Sequence, residues 1–415
     1  MVRRRAVLGA ASVVLATTSL LYLLLSWRRP GIYDIERTPS PTDSRLSVSP
    51  TPPFLSANHT TKRVLIVSGL FHLKKSKHAW DYYQWVLGMF LGQITTDIYF
   101  FTSPDFEQRV REVHANSPAS SSFLRVNTTY ATPFAVPPLE GLERPYKEIH
   151  GRDRERKKHG PELYAVWNAK PFFTDAAVKE LRREGREYDY VFWVDAGTFN
   201  QGHTYAQWPD PRRVDEFFQE AEEHRGGRGL EEKDKIIVPV YNIPSYWYRF
   251  WNERMGPIDF EFSKGSFFGG SPSAVEWYSN AFYAYHDHFL ARGYFVGKDQ
   301  TIINALLLLF PHRFALQWRR DPRTAARFWP EGKCGSEWYY YMHVLASESE
   351  RDAMEKMWKE RMNGWDRGKN WRKIHELHPD AWRRCPISPA LSMQTVAEDV
   401  FGYGWERDRT SVVSR

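Results

Sequence analysis

Apolar positions along the chain recur with two different periods. Runs of four or five β-branched and aromatic residues read as buried strands: Val64–Ser68, Asp97–Phe101, Phe123–Val126, Tyr190–Val194, Ile236–Val240 and Arg313–Gln317. A longer strand-like run, Phe260–Phe268, ends in Gly269-Gly270. Between these runs, apolar residues three and four apart read as helices. They are Asp81–Gln93, a segment from the cap-like Ser103 through Val110, Leu163–Arg183, Val214–Glu222, Ser273–Leu290 and Gln300–Phe310. The alternation predicts an α/β fold, a mostly parallel sheet with helices on both faces. Such sheets bind ligands at the carboxyl ends of their strands. No internal repeat is present. After Trp382 the pattern is lost, and residues 386–415 are expected to form a loosely ordered tail.

The start of the chain reads differently. Residues 1–5 carry three arginines, Ala6 to Trp27 then run 22 residues without a charge, and Arg28-Arg29 follow. A helix of that length, at about 1.5 Å per residue, spans the ~30 Å hydrocarbon core of a bilayer. The run is longer than the roughly 7–15 apolar residues of a cleaved signal, and it ends in bulky Leu23-Leu24-Leu25-Ser26-Trp27. Residues 6–27 are therefore expected to be a retained transmembrane signal-anchor. Residues 1–5 would be a cytosolic tail, and the basic bias would place the remainder in the lumen. Residues 28–61, rich in Pro, Ser and Thr, read as a stem, and 62–385 as the lumenal domain. The expected location is a single-pass type II protein of the Golgi membrane, with the endoplasmic reticulum the other possibility.

Composition narrows the function classes. Hydrophobic residues make up 42% of the chain, enough for a packed core. Basic residues exceed acidic ones by 57 to 50, and zinc-ligand spacing, basic heptads and an RRM-like strand are all missing. Nucleic acid is therefore not an expected partner. Aromatics reach 16%, with 17 Trp, which suits sites that stack flat ligands or sugars. Two cysteines exclude a disulfide scaffold and a Cys-rich metal site; Cys334 and Cys385 either pair in an oxidising lumen or stay as buried thiols. The basic run Gly151–His159 reads as a solvated loop. His286 and His288, two apart on a helix, do not share a face. The motifs of serine hydrolases, P-loop kinases, dinucleotide-binding oxidoreductases and zinc proteases are absent.

Four segments could carry chemistry. Tyr190-Val191-Phe192-Trp193-Val194-Asp195-Ala196-Gly197 delivers a carboxylate at a strand end with small residues behind it. That carboxylate could hold a divalent ion, accept a ribose hydroxyl, or merely cap the turn. In Trp167-Asn168-Ala169-Lys170, Lys170 could balance diphosphate charge and Asn168 could bond a base or ribose, unless both lie exposed at a helix start. In Gly265-Ser266-Phe267-Phe268-Gly269-Gly270, the terminal glycines permit close backbone approach to a substrate. In Gly297-Lys298-Asp299-Gln300, Asp299 stands at a helix N-terminus, as a cap or as a presented carboxylate.

In order and spacing these four segments resemble the HtrL/YibB-like predicted glycosyltransferases, in their fungal membrane-anchored form, over about Arg63 to His343. The resemblance implies a GT-A-type fold. It also implies transfer of a sugar from a nucleoside-diphosphate donor to a glycan or glycoconjugate acceptor, with Mn²⁺ or Mg²⁺ as cofactor. Asp195 takes the place of the first acidic residue of an Asp-x-Asp metal motif, with Gly197 where the second would stand. Asp299 and Gln300, with Lys298 before them, resemble the Asp-Gln pair that meets the donor sugar in glycogenin-like retaining enzymes; in inverting enzymes a carboxylate near this place is the general base. His343 corresponds to a late histidine metal ligand. The implied roles are thus Asp195 for metal or ribose, Asn168 and Lys170 for the nucleotide, Asp299 for the reacting sugar or acceptor, and Gly269-Gly270 as a backbone floor. Two other readings remain: a catalytically inactive sugar-nucleotide-binding or scaffolding protein on the same fold, and a glycoside hydrolase built on Asp195 and Asp299.

Asn58-His59-Thr60 and Asn127-Thr128-Thr129 are glycosylation sequons. If the domain is lumenal, chain made in cells should lose mass on endoglycosidase treatment; an unshifted band with both sequons intact would count against that topology.

Overall fold

A computed structural model of the chain divides into two units, Met1–His59 and Thr60–Arg415. The structure describes residues 62–73, 80–223, 235–319, 340–365, 385, 387–407 and 411–413. The expected cytosolic tail, anchor and stem, and Cys334, lie outside the described residues. Among the described residues no helix is long and apolar enough to cross a membrane.

In chain order the elements are β1 (Val64–Leu70), α1 (Trp80–Leu91), β2 (Asp97–Thr102), α2 (Glu107–Ala115), β3 (Leu124–Asn127), α3 (Glu143–Ile149) and α4 (Pro161–Arg183). There follow β4 (Tyr190–Val194), α5 (Pro211–Glu223), β5 (Ile236–Val240), β6 (Phe267–Gly270), α6 (Pro272–Leu290), α7 (Asp299–Leu309) and β7 (Phe314–Trp318). The last are α8 (Tyr341–Val344), α9 (Glu348–Trp365), β8 (Ala390–Ser392) and α10 (Met393–Phe401). The strands form an eight-stranded sheet in the order β3-β2-β1-β4-β6-β5-β7-β8. β3, β2, β1 and β4 pair in parallel, as do β5 and β7. β6 runs antiparallel to both β4 and β5, and β8 antiparallel to β7. The sheet is mostly parallel, as its apolar runs predict, with two reversed strands.

Side chains alternate across the sheet with the period of two that extended backbone imposes. Leu65, Val67, Tyr99, Phe101, Val191 and Trp193 pack on one side, in the core that α3, α4, α6, α7 and α10 complete. Val64, Ile66, Ile98, Phe100, Tyr190, Phe192 and Val194 pack on the other, beneath α1, α2, α5, α8 and α9.

Two expected elements differ. The strand-like run Phe260–Phe268 is a β-strand only from Phe267, with one isolated antiparallel bridge before it, between Val240 and Ser263. Upstream, the carbonyls of Ile258 and Phe260 accept hydrogen bonds from the Asn304 amide (3.0 and 2.5 Å), and Ser263 N–H donates to Asn304 Oδ1 (3.2 Å). A helix side chain there takes the groups that a neighbouring strand would need. Residues 386–415, expected to be loose, contain β8 and α10. Ser392 caps α10 through its Oγ (3.2 Å from Gln394 N), and Leu391, Met393, Ala397 and Phe401 are buried. Asn127 is already engaged: its Nδ2 donates to Tyr99 Oη (2.7 Å) and its Oδ1 accepts from Thr129 N–H (2.9 Å). A glycan at that sequon would have to displace the first bond.

The C-terminal segment is thus part of the core. Leu391→Ala is expected to cost about 2–5 kcal/mol, read as a lower urea midpoint at unchanged slope; an unchanged midpoint would return residues 386–415 to a loose tail.

Candidate active site

The site is set by topology. The chain leaves β1 toward β2 and β3 on one side, then returns to place β4 on the other side of β1. Between β1 and β4 the strand order reverses, which opens a crevice at the carboxyl ends of the two strands. Ser68 Oγ ties them there by donating to the Val194 carbonyl (2.6 Å). Gly69 lines the crevice; a Cβ on it would stand 3.1 Å from the Phe101 carbonyl oxygen and 3.5 Å from Trp193 Cη2. Asp195 is the first residue beyond β4, and its N–H donates to the Ser266 carbonyl (2.9 Å). By the parity of the strand, Asp195 follows Trp193 onto the α4 side. The Trp193 Nε1–H donates to Asp195 Oδ1 (2.6 Å).

On that side lies Lys170, only 3% exposed. Its Nζ is 3.0 Å from Asp195 Oδ1 and 2.8 Å from Asp299 Oδ2. It donates a directed hydrogen bond to the Gly265 carbonyl (2.8 Å); the carboxylates hold it as ion pairs. Four parts of the chain meet on this ammonium: α4, the end of β4, the N-terminus of α7 and the segment before β6. Beside it, α4 carries a proline and yet continues as one helix. Pro171 has no N–H to donate and its ring crowds the preceding turn. Tyr283 Oη stands in the gap, donating to the Asn168 carbonyl (2.7 Å) and accepting from Phe172 N–H (3.2 Å). Gly265 is required on the opposite side, because a Cβ there would overlap the Asp299 carboxylate.

The electrostatics follow from burial and pairing. Burial drives the Lys170 ammonium toward losing its proton, but Asp195 and Asp299 outweigh it and hold the group above the ordinary lysine range. Burial likewise raises the Asp299 carboxyl above the usual range, and Lys170 offsets only part of that. Two carboxylates against one ammonium leave one net negative charge. Asp299 has 8% of its side chain exposed and Asp195 33%, so that charge is presented at Asp195.

The other expected residues are placed elsewhere. Asn168 is fully buried, its Nδ2 donating to Tyr146 Oη (2.8 Å) and the Val296 carbonyl (2.9 Å). It braces the core and cannot reach a nucleotide. Lys170 is likewise withheld from a diphosphate by its two carboxylates. Lys298 pairs with Glu155 (2.6 Å) on the basic loop, and Gln300 Nε2 donates to the Ser263 carbonyl (2.7 Å). Gly269 and Gly270 lie inside the sheet, where Cβ atoms would overlap the Val191 and Lys235 carbonyl oxygens. Their bareness makes room for neighbouring strands, and the glycine that serves the site is Gly265. The Gly151–His159 run is pinned down: buried Asp153 accepts from Tyr164 Oη (2.7 Å) and pairs with His159 (2.9 Å), and Arg154 pairs with Asp259 (2.8 Å).

A divalent ion fits Asp195 as a single-carboxylate site. Trp193 and Lys170 both take Oδ1, which leaves Oδ2 as the oxygen for a hard cation. Mg²⁺-type ions are commonly held by one or two carboxylates with substrate phosphates and water. His343 falls in a different group. Its ligand atoms and those of Glu355 and Cys385 lie within 4.8 Å of one another, the one such cluster among the described residues. Cys385 is disulfide-bonded there, so its sulfur is no thiolate ligand. Burial, aided by Arg351, holds the His343 imidazole down at about 3, hence neutral.

No family model matches the chain, and no curated relative does. Solved structures do. A galactosyltransferase, LgtC, in complex with donor and acceptor sugar analogues is similar at 11% identity and a TM-score of 0.31, over 58% of this chain and 70% of that one. Core-mannan synthase A (CmsA/Ktr4) from Aspergillus fumigatus, in its Mn/GDP form, is similar at 14% identity and a TM-score of 0.37, over 71% of this chain and 82% of that one.

Asp299, with its raised carboxyl, contributes stability that is full below the unfolded aspartate range and is lost as pH rises through the folded value. Lys170→Met removes the offsetting ammonium. The variant should lose about 3–5 kcal/mol near neutral pH and regain stability on acidification more steeply than the unsubstituted chain. Parallel urea midpoint curves between about pH 4 and 8 would show that the ammonium does not bear on Asp299.

Proposed function

We propose that the chain is a glycosyltransferase that moves a sugar from a nucleoside-diphosphate donor to a glycan or glycoconjugate acceptor, in the HtrL/YibB-like group its four motifs resemble. The observation that carries this reading is the net negative, partly exposed Asp195 at the point where the strand order reverses. A carboxylate there can receive a divalent ion together with the diphosphate of a donor. Mn²⁺ or Mg²⁺, when bound at Asp195, would offset the charge that develops on the departing nucleoside diphosphate. The chain's own part is orientation. Trp193 and Lys170 hold Asp195 in one rotamer, and Asp299 holds Lys170. Asp299 is then a positioning residue whose carboxylate is turned onto an ammonium.

The hydrolase reading loses support, since a glycosidase needs its substrate between the two carboxyl groups and Lys170 stands there. The inactive-protein reading draws on Gly197, which leaves one carboxylate where two would be expected. A type II lumenal placement in the Golgi or endoplasmic reticulum accords with the apolar run 6–27, and the disulfide at Cys385 suits an oxidising compartment.

A panel of nucleoside-diphosphate sugars tests the proposal, with Mn²⁺, Mg²⁺ or chelator, read by thermal shift and nucleotide release. At least one donor should stabilise the chain and release its nucleotide, and Asp195→Asn should lower that release at least about 100-fold without lowering the melting temperature in the absence of donor. Donor binding without release would favour the inactive reading. Neither binding nor release with any donor would sink both.

A further inference from the structure

The segment between β5 and β6 is turned inside out. Tyr246–Phe250 form one 3₁₀ turn whose large rings face solvent: Tyr246 is 48% exposed, Trp247 75% and Phe250 61%. The three rings stand 6.2–6.4 Å apart in edge and tilted arrangements. The backbone of the same turn is held by two arginines, exposed Arg249 within it and buried Arg407 from the C-terminal segment. Arg249 donates to the Phe401 carbonyl (2.7 Å), and Arg407 donates to the carbonyls of Tyr248 (3.0 Å) and Trp251. Trp251 Nε1–H donates to the Gly256 carbonyl (3.0 Å). The two arginines thus hold the turn while Tyr246, Trp247 and Phe250 stay exposed. Leaving such area in water forgoes roughly 1.5–3 kcal/mol per large apolar side chain, and clustered exposure of this kind marks a contact surface.

The loop is also continuous with the candidate site. Its two ends meet at Val240 and Ser263, with Lys264 N–H donating to the Pro239 carbonyl (2.9 Å). The next residue is Gly265, whose carbonyl binds Lys170. Asn304, which holds the loop through Ile258, Phe260 and Ser263, sits on α7, the helix that opens with Asp299. Platform and ion cluster therefore hang from the same helix and the same strand ends.

We propose that Tyr246, Trp247 and Phe250 form a stacking platform for the sugar rings of a glycan acceptor; this rests on the sugar-transfer reading. A pyranose has a face of C–H bonds that packs on an aromatic ring and a rim of hydroxyls. The platform supplies flat rings, and exposed polar residues, Asn252 and Arg254, follow it in the same loop. A lipid surface suits it less well, because exposed Asp259 and Glu261 border Phe260 and would be carried against the headgroups.

The test uses the full chain in a detergent that has no sugar headgroup, with mannotriose, lactose and chitotriose as probes followed by saturation-transfer NMR. At least one probe should bind, and Trp247→Ala and Phe250→Ala should each weaken it roughly 10-fold or more. Both positions are exposed, so the melting temperature should not move. Trp85→Ala, which removes a partly exposed aromatic of α1, should leave binding unchanged. Absence of binding by all three probes, or binding indifferent to both platform substitutions, would overturn the proposal. So would quenching by brominated lipid in nanodiscs that Trp247→Ala abolishes, because it would put the platform in a membrane. Nucleotide release without acceptor separates this from the parent reading. If the chain releases none from any donor, the transferase reading falls while the NMR result still judges the platform. If it does release nucleotide, Trp247→Ala should raise the acceptor KM and spare acceptor-free release; equal loss of both would overturn the platform.

Discussion

One buried ammonium organises the carboxyl edge of this sheet. Lys170 lies between Asp195 and Asp299 and donates to Gly265, so two helices, a strand end and a loop are placed by one charge. Remove the charge and two carboxylates face each other with Asp299 almost cut off from water, and an unpaired buried ion of that kind is costly. With it in place the cluster keeps one negative charge, and the unequal burial of the two acids decides where that charge is offered. Pro171 removes a backbone donor from the helix beside Lys170, and the Tyr283 hydroxyl bridges the Phe172 N–H and the Asn168 carbonyl.

Much of the fold could be read from periodicity, because parallel strands buried on both faces are nearly continuous apolar runs. Tyr190–Val194 and Ile236–Val240 show this, and their bounds agree with the structure. The run at 260–268 could not be read the same way. Its apolar residues are extended in pattern, but Asn304, some forty residues downstream, takes the Phe260 carbonyl and the Ser263 N–H, and only one bridge to β5 forms before Phe267. The C-terminal helix was not read: Ser392 with Val396, Ala397 and Phe401 makes a cap and a helical stripe, but the helix is short and follows a stretch without pattern.

At the site, the residue types were easier to read than their partners. Asp195 and Lys170 stood out as polar groups in apolar surroundings and Asp299 as a carboxylate at a helix N-terminus, and the structure brings the three together. That Lys170 would meet two carboxylates, and not a phosphate, depends on tertiary contacts between residues 25 and 129 positions apart. Asn168 carried the same signal as Lys170 and proved to be a core hydrogen-bonding group. The pair Gly269-Gly270 was the more conspicuous glycine signal, yet Gly265 is the one pressed against a carboxylate. Nothing local distinguishes a glycine that admits a strand from one that admits a side chain.

The alternation of β4 has a consequence for how this sequence can vary. Trp193 and Asp195 share the α4 side because exactly one residue separates them, and their neighbours Phe192 and Val194 face the opposite core. Removing or adding a residue within Tyr190–Asp195 would carry the carboxylate to the side that has no ammonium and deliver an apolar side chain to Lys170. Trp193 aside, whose N–H serves Asp195, this stretch is free to exchange one apolar residue for another of similar size, but its length is not free to drift.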